Sequence, residues 1–390
     1  MSSSNFPSDL IVDVVSYLPV KSLCRFKCVS KSWLALITHP QFVKLHHART
    51  QRQIFLLAID ASLYHVDFQT SLLQQEPSLS LPSSSSYRKV VPIKHDLPFK
   101  EEHDRRNFRL CSWVSESSNG LFCTLMLDPP DREFFIYNPS NREYKKIPYI
   151  ESEKEFPTLH GFGYAESIDD YKFVKVLIKR NIIQIFSLRN NSWKTIKCDF
   201  PFNVKIPLAR STGWEYGIPL DRSIHWVVDV VLNRPRRHRY DDYYYHPYQH
   251  RSKQIVAFDL VEEKFKTLPI LDQVFQNVKR LTVLEDRLCI INNRDQFWIM
   301  KKYGAKKSWT RILIPKKPYQ GRCSSKDSRN FFLKVKDNRY LLVNLDDDKY
   351  TAFDGNKCYT KHVYVENLVS PNFHTDVAVA SEGINNFTRL

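Results

Sequence analysis

Residues Phe6 to Phe42 read FPSDLIVDVVSYLPVKSLCRFKCVSKSWLALITHPQF, and their spacing predicts three short helices in under forty residues. Leu10, Ile11, Val14, Val15 and Leu18 recur as on a helix with a wide apolar face. Pro19 breaks that helix and opens a second, in which Leu23, Phe26 and Val29 recur. Ser30 is placed to cap a third helix carrying Trp33, Leu36 and Ile37. That helix has to stop near Pro40, because the residue before a proline, here His39, is pushed out of helical conformation. So few residues do not bury a self-sufficient core without a metal, disulfides or a partner surface. Two readings follow: a helical cap on a larger domain, or a module that docks on another protein.

The residues themselves choose between these. LPVKSLCRFKCVSKSW (Leu18 to Trp33) closely resembles the F-box of plant F-box proteins, and PSDLIVDVVSYLP matches the first helix of the same motif. Phe6 stands where leucine commonly precedes the proline, and Asp13 to Val15 replace a more usual Glu-Ile-Leu, mild changes of volume. The resemblance implies an F-box over residues 5–50 that binds a Skp-type adaptor and, through it, a cullin-based ubiquitin ligase. On that implication Pro7, Leu10, Ile11, Val14, Leu18, Pro19, Val20, Leu23, Phe26 and Val29 bury against the adaptor, and Trp33 helps hold the helices together. Leu18→Ala or Phe26→Ala is then expected to remove roughly 2 to 4 kcal/mol from folding or binding.

After residue 50 the texture changes. IFLLAI, LYHVDF, FFIYN, FVKVLI, IIQIFSL, IHWVVDVV, QIVAFDL, LCIINN, QFWIM, NFFLKV, YLLVNL and HVYVENL are rich in β-branched and aromatic residues, and turn residues separate them. Many short strands predict a sandwich, barrel or propeller. An internal repeat decides among these. FFIYNPSNREYKKIP (134 to 148), IIQIFSLRNNSWKTIK (182 to 197) and QIVAFDLVEEKFKTLP (254 to 269) share one template, and QFWIMKKYGAKKSWTRIL (296 to 313) repeats it with a longer turn. The template reads as a hairpin whose two strands each place an aromatic in the core. The copies start about 48, 72 and 42 residues apart: the first and last gaps are near the 40 to 50 residues of a four-stranded propeller blade, and the middle one is expected to hide a blade-sized irregular insertion.

This region resembles the F-box-associated domains of plant proteins, which are kelch-like in their repeats. SSNGLFCTL (117 to 125), FIYNPSNREYKKIP, GFGYAESIDDYKFVKV (161 to 176) and YVENLVSP (364 to 371) lie in that family's order. The double glycine of true kelch repeats is absent, and nine glycines in all are too few for it to recur in every blade. The expected architecture is a three-helix F-box, then an all-β propeller-like domain of six to eight blades over 51–370, then a tail over 371–390. Residues 74–88 (QQEPSLSLPSSSSYR) and 233–252 (NRPRRHRYDDYYYHPYQHRS) are expected to be loops leaving the β-framework.

Composition sets the remaining bounds. The chain has 390 residues, no apolar run of membrane-spanning length, no secretory pattern at MSSSNFPSDL, and eight scattered cysteines that fit reduced thiols in cytosol or nucleus. A net charge of +16 favours acidic partners. Residues 301–340 concentrate it, with thirteen Lys or Arg against Asp327 and Asp337. In the 233–252 insert Arg236, Arg237 and Arg239 stand beside Tyr243, Tyr244 and Tyr245, chemistry suited to an acidic or phosphorylated protein target. No RNP-like or helix-turn-helix pattern accompanies them, so nucleic acid is the disfavoured partner.

No catalytic or cofactor site is expected. G-x-G-x-x-G, Walker, nucleophile-elbow and zinc-protease patterns are missing. Cys24 and Cys28 lie one helical turn apart within the F-box pattern and read as packing residues rather than metal ligands. Asp169–Asp170 and Asp346 to Asp348 read as solvated hairpin turns. The expected function is substrate recognition within a Skp–cullin–F-box ubiquitin ligase. The rival is a basic β-rich nucleic-acid-binding protein whose N-terminal helices dimerise.

Overall fold

The computed structural model describes residues 8–50, 53–59, 62–67, 93–95, 109–128, 131–148, 150, 158–198, 200, 214–231, 251–271, 278–284, 286–292, 296–312, 319–320, 330–335, 339–344, 350–354 and 358–372. Pro7, the 74–88 loop, Asp346 to Asp348, all six Arg and Tyr candidates of the insert and everything beyond Asn372 lie outside these residues.

Four helices open the chain: α1 (Ser8–Val15), α2 (Val20–Phe26), α3 (Lys31–Thr38) and α4 (Pro40–Arg49). Local chemistry sets their ends. Pro19, extended at φ −57°, ψ 146°, stands just before α2, and the Ser30 side chain accepts from Trp33 N–H at 3.2 Å to cap α3. His39 is extended, which ends α3. The expected count of three helices is corrected here, because Pro40 also opens α4 from its first position, and the His39 ring accepts from Gln41 N–H at 3.3 Å.

Among the described residues that follow, strands dominate. Two compact units divide the chain, Met1–Tyr149 with Thr351–Leu390, and Ile150–Tyr350. The first carries β1 (Gln53–Ile59), β2 (Ser62–Asp67) and β3 (Ile93–His95), then β4 (Arg109–Val114), β5 (Phe122–Asp128), β6 (Asp131–Tyr137) and β7 (Tyr144–Lys146). The second begins with β8 (Thr158–Ala165), β9 (Asp170–Leu177), β10 (Ile182–Ser187), β11 (Ser192–Lys197) and β12 (Trp214–Tyr216). It continues through β13 (Ile218–Leu220), β14 (Ser223–Val231), β15 (Arg251–Asp259) and β16 (Lys264–Leu268). Next come β17 (Val278–Leu284), β18 (Arg287–Asn292), β19 (Phe297–Met300) and β20 (Trp309–Ile312), then β21 (Tyr319–Gln320), β22 (Asn330–Val335) and β23 (Arg339–Asn344). The division between units falls in β24 (Tyr350–Asp354), and β25 (Cys358–Val365) follows.

These strands form six sheets in chain order, β4 to β7, β8 to β12, β13 to β16, β17 to β20 and β21 to β24 each being consecutive. The exception is the sheet of β1 to β3, which takes β25 as its further strand, with Phe55 opposite Val363 and Leu56 opposite His362. Each sequence-predicted strand overlaps one of these elements; five of the sheets are four-stranded and antiparallel, the material of a propeller, and the β8 sheet adds β12 as a fifth strand parallel to β8.

The four repeat copies are edge pairs of their sheets, β6–β7, β10–β11, β15–β16 and β19–β20. Register explains the template: Tyr137 faces Tyr144, Phe186 faces Trp193, Phe258 faces Phe265 and Met300 faces Trp309. In the first three copies the residue after the aromatic organises the turn. Asn138 Oδ1 accepts from Ser140 N–H, Ser187 Oγ from Asn190 N–H, and Asp259 Oδ1 from the N–H groups of Val261 and Glu262. Asp170, expected in a solvated turn, is buried instead, because its carboxylate accepts from the Ser187 hydroxyl at 2.6 Å and from Arg189 N–H at 2.9 Å.

In the second unit the β8 and β14 sheets pack face to face through Val174, Val176, Ile183, Ile185, Ile224 and Trp226. Gly161 and Gly217 make this contact close. A Cβ on Gly161 would fall inside the Ile224 side chain, and one on Gly217 would lie 2.6 Å from the Trp226 ring. Gly217→Ala is therefore expected to cost about 1 to 3 kcal/mol. An unchanged thermal midpoint for that variant would show that Ile224 and Trp226 have room to retreat.

Candidate functional site

The four helices share one small core of Val15, Val20, Leu23, Ile37 and Phe42, against which Ile11, Leu18, Phe26 and Trp33 pack at partial burial. Phe26 and Trp33 stand ring to ring at 5.3 Å. Arg49, in the last turn of α4, ties that helix to α1. Its guanidinium donates to Asp13 Oδ1 and to the Ser16 hydroxyl, each at 2.6 Å, and lies 4.8 Å over the Tyr17 ring. His46 is fully buried, and since a carbonyl oxygen only accepts, its Nε2–H donates to Leu18 O at 2.9 Å.

Burial pushes the His46 imidazole below its usual range of about 6.5, outweighing the Leu18 bond that favours protonation. The unfolded chain then binds the proton more readily than the folded one. His46 therefore contributes stability that is present above pH 6.5 and lost as pH falls below it. Protection factors of the α1 and α4 amides, in which the intrinsic slowing of exchange at lower pH cancels, are expected to fall between pH 7 and 5. A rate ratio between wild type and His46→Gln that stays constant over that range would contradict this.

The wide apolar face of α1 is split by its neighbours. Val15 is buried, Ile11 and Leu18 are half-buried, and Leu10 and Val14 are left 56% and 65% exposed. Tyr17 at 66% and Val29 at 67% are exposed as well, and so are Leu34 and Pro19. Of the residues expected to meet an adaptor, Leu10, Val14, Pro19 and Val29 thus present surface. Val20 and Leu23 do not: both are wholly inaccessible and bury against the chain's own helices. Leu18, Phe26 and Trp33 serve mainly internal packing. Tyr17 was missed, although its position three residues beyond Val14 is the helical signal for it.

The two cysteines differ as well. Cys24 packs on the helical core and burial raises its thiol pKa, whereas Cys28 is exposed, contrary to its expected packing role. Among the described residues no three His, Cys, Asp or Glu side chains are grouped to hold a metal ion. His225 is buried with its Nδ1 against Ile218 O at 3.2 Å and its Nε2 accepting from the Tyr303 hydroxyl at 2.7 Å, and burial lowers its pKa to about 4.

A short helical module with exposed apolar side chains, set before a series of small β-sheets, is the class of architecture that the fold defines. The comparisons name the family. Residues 3–45 match the F-box domain and residues 54–379 the F-box associated beta propeller domain, so the chain belongs to the plant F-box proteins that carry this associated domain. The F-box protein CPR1 of Arabidopsis thaliana is 26% identical over 417 residues, covering 94% of this chain and 89% of the relative. An F-box/kelch-repeat protein of the same plant is 25% identical over 334 residues, covering 80% of each. Among solved structures, TolB from Acinetobacter baumannii aligns with a TM-score of 0.45 at 9% identity, over 80% of this chain and 67% of its own. F-box proteins are in general the substrate receptors of Skp–cullin–F-box ligases, in which the F-box binds the adaptor that recruits the cullin.

Proposed function

We propose that this chain is a non-catalytic receptor subunit of such a ligase: the helices hold a Skp-type adaptor and the β-domain holds a target protein. The observation that carries the reading is the exposed apolar surface of Leu10, Val14, Tyr17 and Val29 on a module matching the F-box. Large apolar side chains exposed on so small a module gain by burial against a partner. The chain then supplies proximity, raising the effective concentration of a target lysine near a charged conjugating enzyme.

The direct test is affinity of the purified chain for a recombinant Skp-type adaptor. Val14→Asp places an unpaired charge in the proposed interface without touching the helical core, and is expected to weaken binding at least tenfold with helix content unchanged. Wild-type affinity in this variant would remove that surface from the interface. For the target, the net charge favours an acidic or phosphorylated protein. Arg236, Arg237, Arg239 and Tyr243 to Tyr245 are the residues proposed to meet it. Target capture that survives replacement of the three arginines by serine would exclude them.

A further inference from the structure

The core of the helices is not closed by the helices alone. Leu368, just after β25, is 2% exposed and sits in the same cluster as Val15, Val20, Leu23, Ile37 and Phe42. The segment that carries it is tied to the β-domain by polar contacts on both flanks. Asn138, fully buried beside the β6–β7 turn, donates from Nδ2 to Asn367 Oδ1 at 2.8 Å and to Val369 O at 2.8 Å. Asn367, also fully buried, donates to Asn119 O at 2.7 Å, and its backbone N–H reaches Ser140 Oγ at 3.2 Å. Asn372 donates to Tyr144 O at 3.3 Å. Gly120, at φ +80°, leaves room for the Asn367 amide, since a Cβ there would collide with it. Lys27 of the helical module pairs with Glu143 of the β6–β7 turn at 3.6 Å.

We infer that Leu368 is a core residue of the F-box delivered by the β-domain, so that adaptor binding and the seating of β25 and the 366–372 segment are thermodynamically linked. This rests on the adaptor reading above and goes beyond it: the two family matches are separate in sequence but share one hydrophobic core. A module this small gains a large fraction of its stability from one added buried leucine. Linkage is reciprocal, so an adaptor that favours ordered helices also holds Leu368, and with it β25, in place. Leu368 and Asn138 are buried within the chain, so any effect they have on adaptor affinity acts through the helices.

The test uses the full chain and recombinant Skp-type adaptor, with affinity by calorimetry and amide exchange by mass spectrometry. Leu368→Ala is expected to weaken adaptor binding at least tenfold. Asn138→Ala, whose side-chain bonds go to its own turn and the 367–369 backbone and amide, is expected to weaken it severalfold. In the wild-type chain, saturating adaptor is expected to slow exchange in β1, β25 and residues 366–372 as well as in the helices. Wild-type affinity in both variants, with slowing confined to residues 8–49, overturns the linkage. If a variant does not fold, the wild-type exchange pattern decides alone. If the wild-type chain does not bind the adaptor, the preceding proposal fails. The shared core is then judged in the free chain, where Leu368→Ala must speed exchange in α2 to α4 to sustain it, and unchanged rates refute it.

Discussion

Replacing Trp226 by alanine is expected to cost about 3 to 5 kcal/mol, a large part of the 5 to 15 kcal/mol that holds an ordinary domain folded. The side chain is 1% exposed and lies in the contact between the β8 and β14 sheets, with Phe258, Leu260 and Val256 in the same cluster. Its indole N–H donates to His160 O at 2.9 Å, the carbonyl that also accepts from Gly217 N–H. Alanine would leave a void walled by two glycine backbones, which carry no side chains to refill it. Trp226→Phe separates the terms: it keeps most of the volume and forfeits the hydrogen bond, and is expected to cost about 1 to 2 kcal/mol. Urea denaturation of both variants measures the difference. Near-wild-type stability of Trp226→Ala would mean that the two sheets do not depend on this contact.

The second large effect is expected at Leu23. It is fully buried among Val15, Val20, Ile37, Phe42 and Leu368, so Leu23→Ala should cost about 2 to 5 kcal/mol, more than the small helical core is expected to tolerate. Adaptor binding should then disappear together with amide protection of the helices. This contrasts with Val14→Asp, expected to lose binding while protection stays. Retained protection in Leu23→Ala would show that the rest of the chain supports the helices against such a loss.

What could be read from the sequence was local. Pro19, Ser30 and His39–Pro40 act through their own backbone and nearest turns, so the ends of α2 and α3 were legible from single residues. The repeat was legible because Phe186–Trp193 and Phe258–Phe265 are cross-strand neighbours only a turn apart. Helical period distinguishes sides of a helix but not how much of a wide apolar face the neighbours cover. Leu10 and Val14 were therefore grouped with Val20 and Leu23, although the first two lie outside and the last two inside. Leu368 carried no local sign of its role. It reads as one more apolar residue at a strand end, and its partners lie more than 300 positions earlier. α4 was missed because its own apolar residues are few and Pro40 was read only as a stop.

The pairing of β1 with β25 has a consequence for how the chain is made. The ribosome releases β1 about 300 residues before its β25 partner, which at 5 to 20 residues per second is roughly 15 to 60 seconds. For that interval one edge of Gln53–Ile59, a run of apolar residues, has its backbone N–H and C=O groups open to any passing strand. The nascent chain thus spends much of its synthesis time with an aggregation-prone edge, and a chain cut short anywhere before Cys358 keeps it for good. Chaperone demand during translation and rapid clearance of truncated products are the expected consequences of that one strand pair.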